Sequence, residues 1–325
     1  MKFSTIRVLL IIIFIIILSL NVLQAQNNKV SVSKNNIRLL ILGNIQDAGY
    51  PHIACKKQCC LDFYSGKEEK KLITSIALID SNNNYYLFDC SPDITAQLDY
   101  INDYLNNDRS ENIFALPNGI FITHAHIGHY TGLMYFGKEA KGANNISTYL
   151  MPRMKYYIEN NGPWSQLVKQ KNISIIELEA DKPIILDNNI SIIPFIVPHR
   201  DEYSETVGYN IITPNKKILF IPDINKWDIW EKNIIQEIKK VDLVFIDGTF
   251  YNDSELKNRD MSSIPHPFIR ESVELFEDLD PKERRKINFI HFNHTNPAFK
   301  TSAEKKSLLN SGFNIAEQWE VFIID

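Results

Sequence analysis

The sequence lacks an excess of positive charge. Its 325 residues include 35 Lys and Arg against 39 Asp and Glu, which gives a formal net charge of −4 at pH 7. Residues 1–25 carry only Lys2 and Arg7, so the rest of the chain has 33 basic and 39 acidic residues, or −6. A protein that wraps a polyanion needs a basic surface. We therefore expect no nucleic-acid partner, and a nuclease is disfavoured.

The apolar run near the N-terminus is too short for a spanning helix, which needs ~20 residues. Lys2 and Arg7 precede Val8–Leu18, and Ala25 precedes a polar stretch. This order is typical of a secretory signal peptide. We predict a signal over residues 1–25, a loose arm over 26–36 and export, with the periplasm as the expected location. No cysteine follows the predicted cut, so no lipid anchor and no stable membrane anchor are expected after cleavage; an uncleaved anchor is the alternative.

Cysteine is scarce, but three of the four cysteines are clustered. Cys55, Cys59 and Cys60 lie close together after His52, whereas Cys90 is alone. A disulfide is the default expectation in an oxidising compartment. Three thiols beside a histidine instead resemble a structural zinc site, and neighbouring cysteines such as Cys59 and Cys60 rarely bond each other. A structural metal held by these three cysteines and His52, a disulfide and free buried thiols all stay open.

No Pro, Gly or Ser-rich linker and no short repeat divides the chain after residue 36. In each half, pairs of β-branched, apolar segments precede segments with helical spacing. One pair flanks Asn82–Asn84 and another flanks Pro214–Asn215, as in hairpins. Two sheets packed together with helices outside satisfy this order. We predict a single α/β domain over residues 37–325, a four-layer αββα sandwich.

Three of the eight histidines lie within six residues of one another. His124, His126 and His129 follow the apolar run Gly119–Ile122 and precede a segment with helical spacing at residues 130–136. Alternate residues that leave a strand share a side, so three imidazoles can face one point at this turn. Neutral imidazole is a ligand for Zn, Fe, Cu or Ni. The pattern indicates a metal site, rather than histidines that merely satisfy the turn.

Three further candidate ligands also follow predicted strands. His199 follows Ile192–Pro198, Asp223 follows Ile218–Pro222, and His291 follows Ile287–Ile290. Sites in layered α/β folds lie beyond strand ends, so these side chains can converge with the histidine stretch. His294 is an unassigned extra: a ligand, a proton shuttle or a structural residue. His266 either caps a helix or reaches the site.

The motif and the order of these residues resemble the metallo-β-lactamase fold superfamily, within it most closely the coenzyme pyrroloquinoline quinone synthesis protein B branch. The branch resemblance rests on residues 51–55 with the later cysteines, 247–250 and 291–297. The resemblance implies one metal held by His124, His126 and His199, and a second served by His129, Asp223 and His291. Asp223 would bridge the two, and Asp89 would orient a ligand histidine. The family usually has Asp where this chain has Gly128, so the second site is expected to lose a carboxylate, unless His294 fills the vacancy and Gly128 merely allows the turn.

The expected function is a metallo-hydrolase. One or two zinc ions with an open position would lower the pKa of bound water to about 7 and create a hydroxide nucleophile for an ester, amide, lactone or phosphodiester of a small molecule. Asp223 would orient the hydroxide, and His294 or Asp93 would protonate the leaving group. An iron-dependent oxidase or hydroxylase related to quinone cofactor synthesis is one alternative. A binding module that has lost catalysis is the other.

Overall fold

The computed structural model describes residues 36–105, 114–186, 189–256 and 259–324. The predicted signal peptide and all but the last residue of the predicted arm lie outside these ranges. Among the described residues, no helix is both long and apolar enough to cross a membrane.

The first sheet has seven strands and comes mainly from the first half of the chain. Its spatial order is β14-β1-β2-β3-β4-β5-β6. In that order, the strands are Val321–Ile323, Arg38–Gly43, Ser75–Ile79, Tyr85–Phe88, Gly119–Phe121, Ile146–Leu150 and Ile173–Glu177. Strand β2 pairs antiparallel with both β1 and β3, so β1 and β3 run in the same direction. Strands β4, β5 and β6 then continue parallel to β3.

The second sheet also has seven strands, in the order β13-β12-β11-β10-β9-β8-β7. In that order, the strands are Asn314–Ile315, Ile287–Ile290, Leu243–Asp247, Lys217–Ile221, Val207–Ile212, Ser191–Ile196 and Ile184–Ile185. Strands β10 to β13 are parallel. Strand β9 is antiparallel to both β8 and β10, so β8 runs in the same direction as β10.

Alternation along the strands creates three apolar layers. In β1, Leu39 and Ile41 face the other sheet, whereas Leu40 and Leu42 face the outer helices. In β10, Phe220 faces the first sheet while its neighbours face the opposite side. A period of two with both faces apolar is what a strand buried between two layers requires. The structure confirms the αββα sandwich.

Nine short α-helices accompany the sheets within the described residues. They are α1 Gln58–Tyr64, α2 Ile94–Leu105, α3 Ile127–Tyr130, α4 Pro152–Asn160, α5 Trp164–Lys169, α6 Ile234–Lys239, α7 Ile269–Leu275, α8 Pro281–Arg284 and α9 Ala303–Asn310. Four 3₁₀ segments lie at Thr131–Phe136, Trp227–Ile229, Met261–Ser263 and Pro297–Phe299.

One predicted helix is wrong. The amphipathic spacing of residues 227–238 indicates a continuous helix, but the structure has a 3₁₀ turn and then α6. The Trp227 indole donates to Ser272 Oγ at 2.9 Å, and the Trp230 indole donates to the Ile196 carbonyl at 3.0 Å. Asn233 then starts α6 by accepting from the Gln236 amide. Tertiary bonds to two different elements therefore override the helical spacing.

Candidate metal centre

The candidate ligands follow strands that point the same way within each sheet. Asp47, Asp89 and the histidine stretch follow β1, β3 and β4. In the second sheet, ligand candidates follow or end four strands: His199 after β8, Asp223 after β10, Asp247 at the end of β11 and His291 after β12. Carboxyl ends of equally directed strands meet at one edge. The structure brings the predicted ligands from both sheets together at this edge.

The first group consists of His124, His126, His199 and Asp223, whose ligand atoms lie within 4.8 Å of one another. The Nε2 of His124 is 2.8 Å from Nδ1 of His126, which is 3.3 Å from Nε2 of His199. Oδ2 of Asp223 is 3.4 Å from His124 Nε2 and 3.2 Å from His199 Nε2. Nitrogen ligands at about 2.05 Å around a tetrahedral zinc would be about 3.3 Å apart. The spacing fits one ion.

Outer contacts fix which nitrogen faces this group. Thr123 Oγ1 lies 2.9 Å from His124 Nδ1, and Asn225 Oδ1 lies 3.2 Å from His199 Nδ1. His126 has the opposite orientation: its Nδ1 faces the group, and its Nε2 lies 3.4 Å from Arg200 Nη2 and 3.5 Å from Glu202 Oε2. The His126 side chain is 14% exposed, whereas those of His124 and Asp223 are at most 3% exposed. Solvent therefore meets the first group at His126.

The second group consists of Asp47, His129 and His291. Asp89, fully buried, lies 2.7 Å from Nδ1 of His129 through its Oδ2. Thr249 Oγ1 lies 3.0 Å from Nδ1 of His291. The Nε2 atoms of both histidines are buried and have no hydrogen-bond partner. Buried polar atoms are normally paired, so two such nitrogens facing a carboxylate are the signature of metal ligands.

Asp223 lies between the two groups. Its Oδ2 is 3.9 Å from Nε2 of both His129 and His291, beyond its contacts with the first group. Burial alone would raise the pKa of the Asp223 carboxyl, but the neighbouring His199, His266 and His291 lower that pKa well below its ordinary value. Asp223 is therefore an anion that lies between the two groups, which is where the family resemblance expects a bridging ligand.

Gly128 does not have the left-handed conformation for which a turn would favour glycine. It lies in α3 with a φ outside the left-handed range, and its amide donates to Asp47 Oδ1 at 3.1 Å. A Cβ at residue 128 would lie 2.2 Å from that same Oδ1. A carboxylate therefore lies beside the second group, but it belongs to residue 47.

Two further residues complete the centre. His266 Nδ1 lies 2.8 Å from Asp247 Oδ2 and 3.2 Å from Asp223 Oδ1. Burial alone would lower the pKa of His266, but the two carboxylates raise it to about 9. His266 therefore reaches the site instead of capping a helix. Sequence reasoning missed a site role for Asp47, and the strand-end position of Asp47 and Asp247 was the only available signal.

His294 is not part of this centre. It joins Cys55, Cys59 and Cys60 in a separate group, with ligand atoms within 4.8 Å of one another. His52, the predicted fourth ligand, is outside that group: its Nδ1 lies 3.0 Å from the Ile53 carbonyl oxygen, and its ring packs on that of His294 at 4.2 Å. Burial lowers the pKa of His294 to about 4, so it is neutral at pH 7. The structure therefore places His294, rather than His52, with the three cysteines.

The cysteines of that group are free. Cys55 Sγ and Cys59 Sγ are 3.6 Å apart, too far for a disulfide bond of about 2.05 Å. Two thiolates at about 2.3 Å from a tetrahedral zinc are about 3.8 Å apart. Of the three alternatives, a disulfide is absent among the described cysteines, and the spacing fits a metal.

This fold and this strand-edge cluster of histidines and aspartates define a class of protein. The family model for the beta-lactamase superfamily domain matches residues 84–292, and the chain belongs to that superfamily.

Within it, the chain is similar to coenzyme PQQ synthesis protein B. It is 24% identical to that protein of Rhizobium meliloti over 305 residues, which cover 86% of this chain and 96% of the relative. The Acinetobacter baylyi protein is 24% identical over 83% of this chain and 93% of its own length.

Solved structures agree on the fold. Zn²⁺-bound PqqB from Methylobacterium extorquens superposes with a TM-score of 0.73 at 19% identity, covering 88% of this chain and 99% of that chain. A diphosphatase from the PhnP family gives 0.61 at 19% identity, covering 88% and 96%. Human tRNase Z, short form, gives 0.54 at 15% identity, covering 89% and 99%.

Proposed function

We propose that the protein is a metal-dependent hydrolase of a small-molecule ester, amide, lactone or phosphodiester. The observation that carries the proposal is the pair of histidine groups on either side of Asp223. The buried, unpaired Nε2 atoms of His129 and His291 support metal binding independently of the first group. Nitrogen and carboxylate donors at these spacings suit zinc. The zinc in the PqqB structure is consistent with this choice.

The ligands that we assign to zinc fall into two sets. One ion would be held by His124, His126 and His199, and a second by His129 and His291, with Asp223 between them. A zinc ion held there supplies Lewis-acid activation of water and of a carbonyl or phosphoryl oxygen.

The chain's own residues would supply orientation and protons. Asp223, held as an anion, is placed to accept a hydrogen bond from an attacking water and so orient it. The carboxylates of Asp247 and Asp223 raise the pKa of His266, so His266 is better placed than His294 to protonate the leaving group. Asp93 is a weaker candidate, because its oxygens accept from the Ile73 amide and pair with Lys70. Arg200, next to exposed His126, is placed to bind an anionic substrate group.

We also propose that Cys55, Cys59, Cys60 and His294 hold a structural zinc ion. Four protein donors leave no open position for substrate, which is the usual arrangement of a structural site. The N-terminal pattern supports a further proposal, export with cleavage after residue 25; Edman sequencing of the mature protein would test it.

The proposed function is tested with His126→Ala. This variant is expected to lose metal from the histidine groups and hydrolysis of a panel of esters, lactones and phosphodiesters together. His52→Ala removes a histidine outside the centre and should keep both. Full activity in metal-free His126→Ala protein would refute the hydrolase. Iron with substrate-dependent oxygen uptake would favour an oxidase, and bound metal without turnover would favour a binding module.

A further inference from the structure

We propose that Asp47 is the carboxylate ligand of the second metal, taken from the loop after β1 in place of the residue that the family motif carries at position 128. This inference rests on the proposed metal centre. It assigns a specific role to a residue outside the histidine motif and makes the centre binuclear in spite of Gly128.

The space at residue 128 is the first argument. A Cβ there would lie 2.2 Å from Asp47 Oδ1 and 2.8 Å from Asp47 Cα. Real Cβ atoms do not approach other atoms so closely, so any side chain at 128 would displace both the carboxylate and its backbone. Gly128 is therefore needed for the close approach of Asp47, and the two positions exclude each other as carboxylate donors.

The direction of the neighbouring nitrogens is the second argument. Nε2 of His129 lies 3.5 Å from Asp47 Oδ1, and Nε2 of His291 belongs to the same group. Neither Nε2 atom has a hydrogen-bond partner, although both are buried. If Asp47 only accepted from the Gly128 amide, its carboxylate would lie beside two unpaired nitrogens with no cation between them. A cation bound by all three residues gives each of them a partner.

Charge is the third argument. Without Asp47, a divalent ion between His129 and His291 would have only one carboxylate ligand, Asp223, and would share it with the first ion. Asp47 adds a second carboxylate, so two ions would face two anionic ligands. The Asp47 side chain is 23% exposed, compared with 0% for His129. An ion can therefore enter the second group from the Asp47 side.

The test is a Co²⁺ titration of metal-free full-length protein, followed by d–d absorption and by the electron paramagnetic resonance signal of coupled ions. Thiolate-to-cobalt charge transfer reports the cysteine group separately. Asp47→Asn keeps an oxygen that can accept from the Gly128 amide but removes the charge. Asp47→Ser is the second variant if the first does not fold. Asp280→Asn is the matched control, because Asp280 also accepts from a backbone amide, that of Lys282 at 2.8 Å, but belongs to neither histidine group.

We expect wild-type protein and Asp280→Asn to bind two coupled ions at the histidine groups. The Asp47 variants should bind the first ion normally and the second at least tenfold more weakly, with loss of the coupled signal. Two coupled ions of unchanged affinity in both variants would overturn the role of Asp47. A single ion in wild-type protein would also overturn it but leave the hydrolase standing. No ion at the histidine groups would overturn both.

Discussion

Asp89→Asn should weaken metal binding in both groups, because one carboxylate positions a ligand in each. Oδ2 of Asp89 lies 2.7 Å from His129 Nδ1, and its Oδ1 accepts from the Thr123 amide at 2.8 Å. The Thr123 hydroxyl, which also contacts Asp89, lies 2.9 Å from His124 Nδ1. Asp89 therefore orients His129 directly and His124 through Thr123.

The size of the effect follows from these contacts. Loss of an outer partner of a ligand histidine costs roughly 10–100-fold in metal affinity, or about 1.4–2.7 kcal/mol. The amide that Asp89→Asn introduces would be the wrong partner: its NH₂ group donates to His129 Nδ1 and so favours the tautomer that carries the proton on Nε2, where the metal must bind. We therefore expect a loss near 100-fold for the ion at His129 and a smaller loss at His124.

The assay is zinc competition against a chromophoric chelator. Asp80→Asn is the matched control, because Asp80 is equally buried but accepts from the Asn82 and Asn84 amides in the hairpin turn. That variant should lose stability without losing metal affinity. Zinc affinity of Asp89→Asn within twofold of wild type would refute the reasoning.

Three other predictions concern acidity, the cysteine group and the core. In metal-free protein, burial alone would lower the pKa of His129 and His266, but Asp89 and Asp247 respectively raise them from 6.5 to about 9. Protonation of each histidine therefore stabilises the folded state by roughly 3 kcal/mol. This contribution is full below pH 6.5 and is lost as the pH rises through 9. A free energy of unfolding, measured with denaturant, that does not decline over this pH range would contradict the prediction. Cys59→Ser should remove the zinc ion of the cysteine group and lower the melting temperature, while the histidine groups keep their zinc. The control Cys90→Ser, in the apolar core, should keep all zinc by elemental analysis. An equal loss of zinc in the two variants would argue against the cysteine site. Phe121→Ala should lower the free energy of unfolding by about 3–5 kcal/mol, because the ring is fully buried between the sheets; a loss below 1 kcal/mol in urea titration would contradict the packing.

Local sequence patterns were sufficient for most of the strands. The strand Ile287–Ile290 has its predicted bounds, and the strand Tyr85–Phe88 follows the predicted turn at Asn82–Asn84. Each is a short β-branched or aromatic run bounded by polar or turn residues, so its burial on both faces follows from its composition. The helix predicted over residues 227–238 failed because bonds from its two tryptophans reach distant elements, which spacing along the chain does not encode.

The site was predictable only where the chain itself brings residues together or where strands end. The histidine stretch is local, and His199, Asp223 and His291 follow strands, so their convergence followed from the fold. His294 is three residues from His291, yet it lies with the cysteines, because His291 has a φ of 67° and the chain turns sharply there.

Asp47 could not be predicted from its surroundings in the sequence. It is 81 residues from Gly128 along the chain. Only the packing of the loop after β1 against α3 places its carboxylate where a side chain at 128 would lie. A glycine at a motif position that usually ligates is thus informative only when the structure shows what occupies its space.

The central claim is that the strand-edge cluster of histidines and aspartates is a metal centre. Anomalous diffraction at the zinc edge, from crystals of the full chain grown with zinc, tests it most directly. We predict one peak among His124, His126, His199 and Asp223, and a second among Asp47, His129 and His291. Crystals that show zinc only at the cysteine group, with no peak at the histidines, would contradict the account.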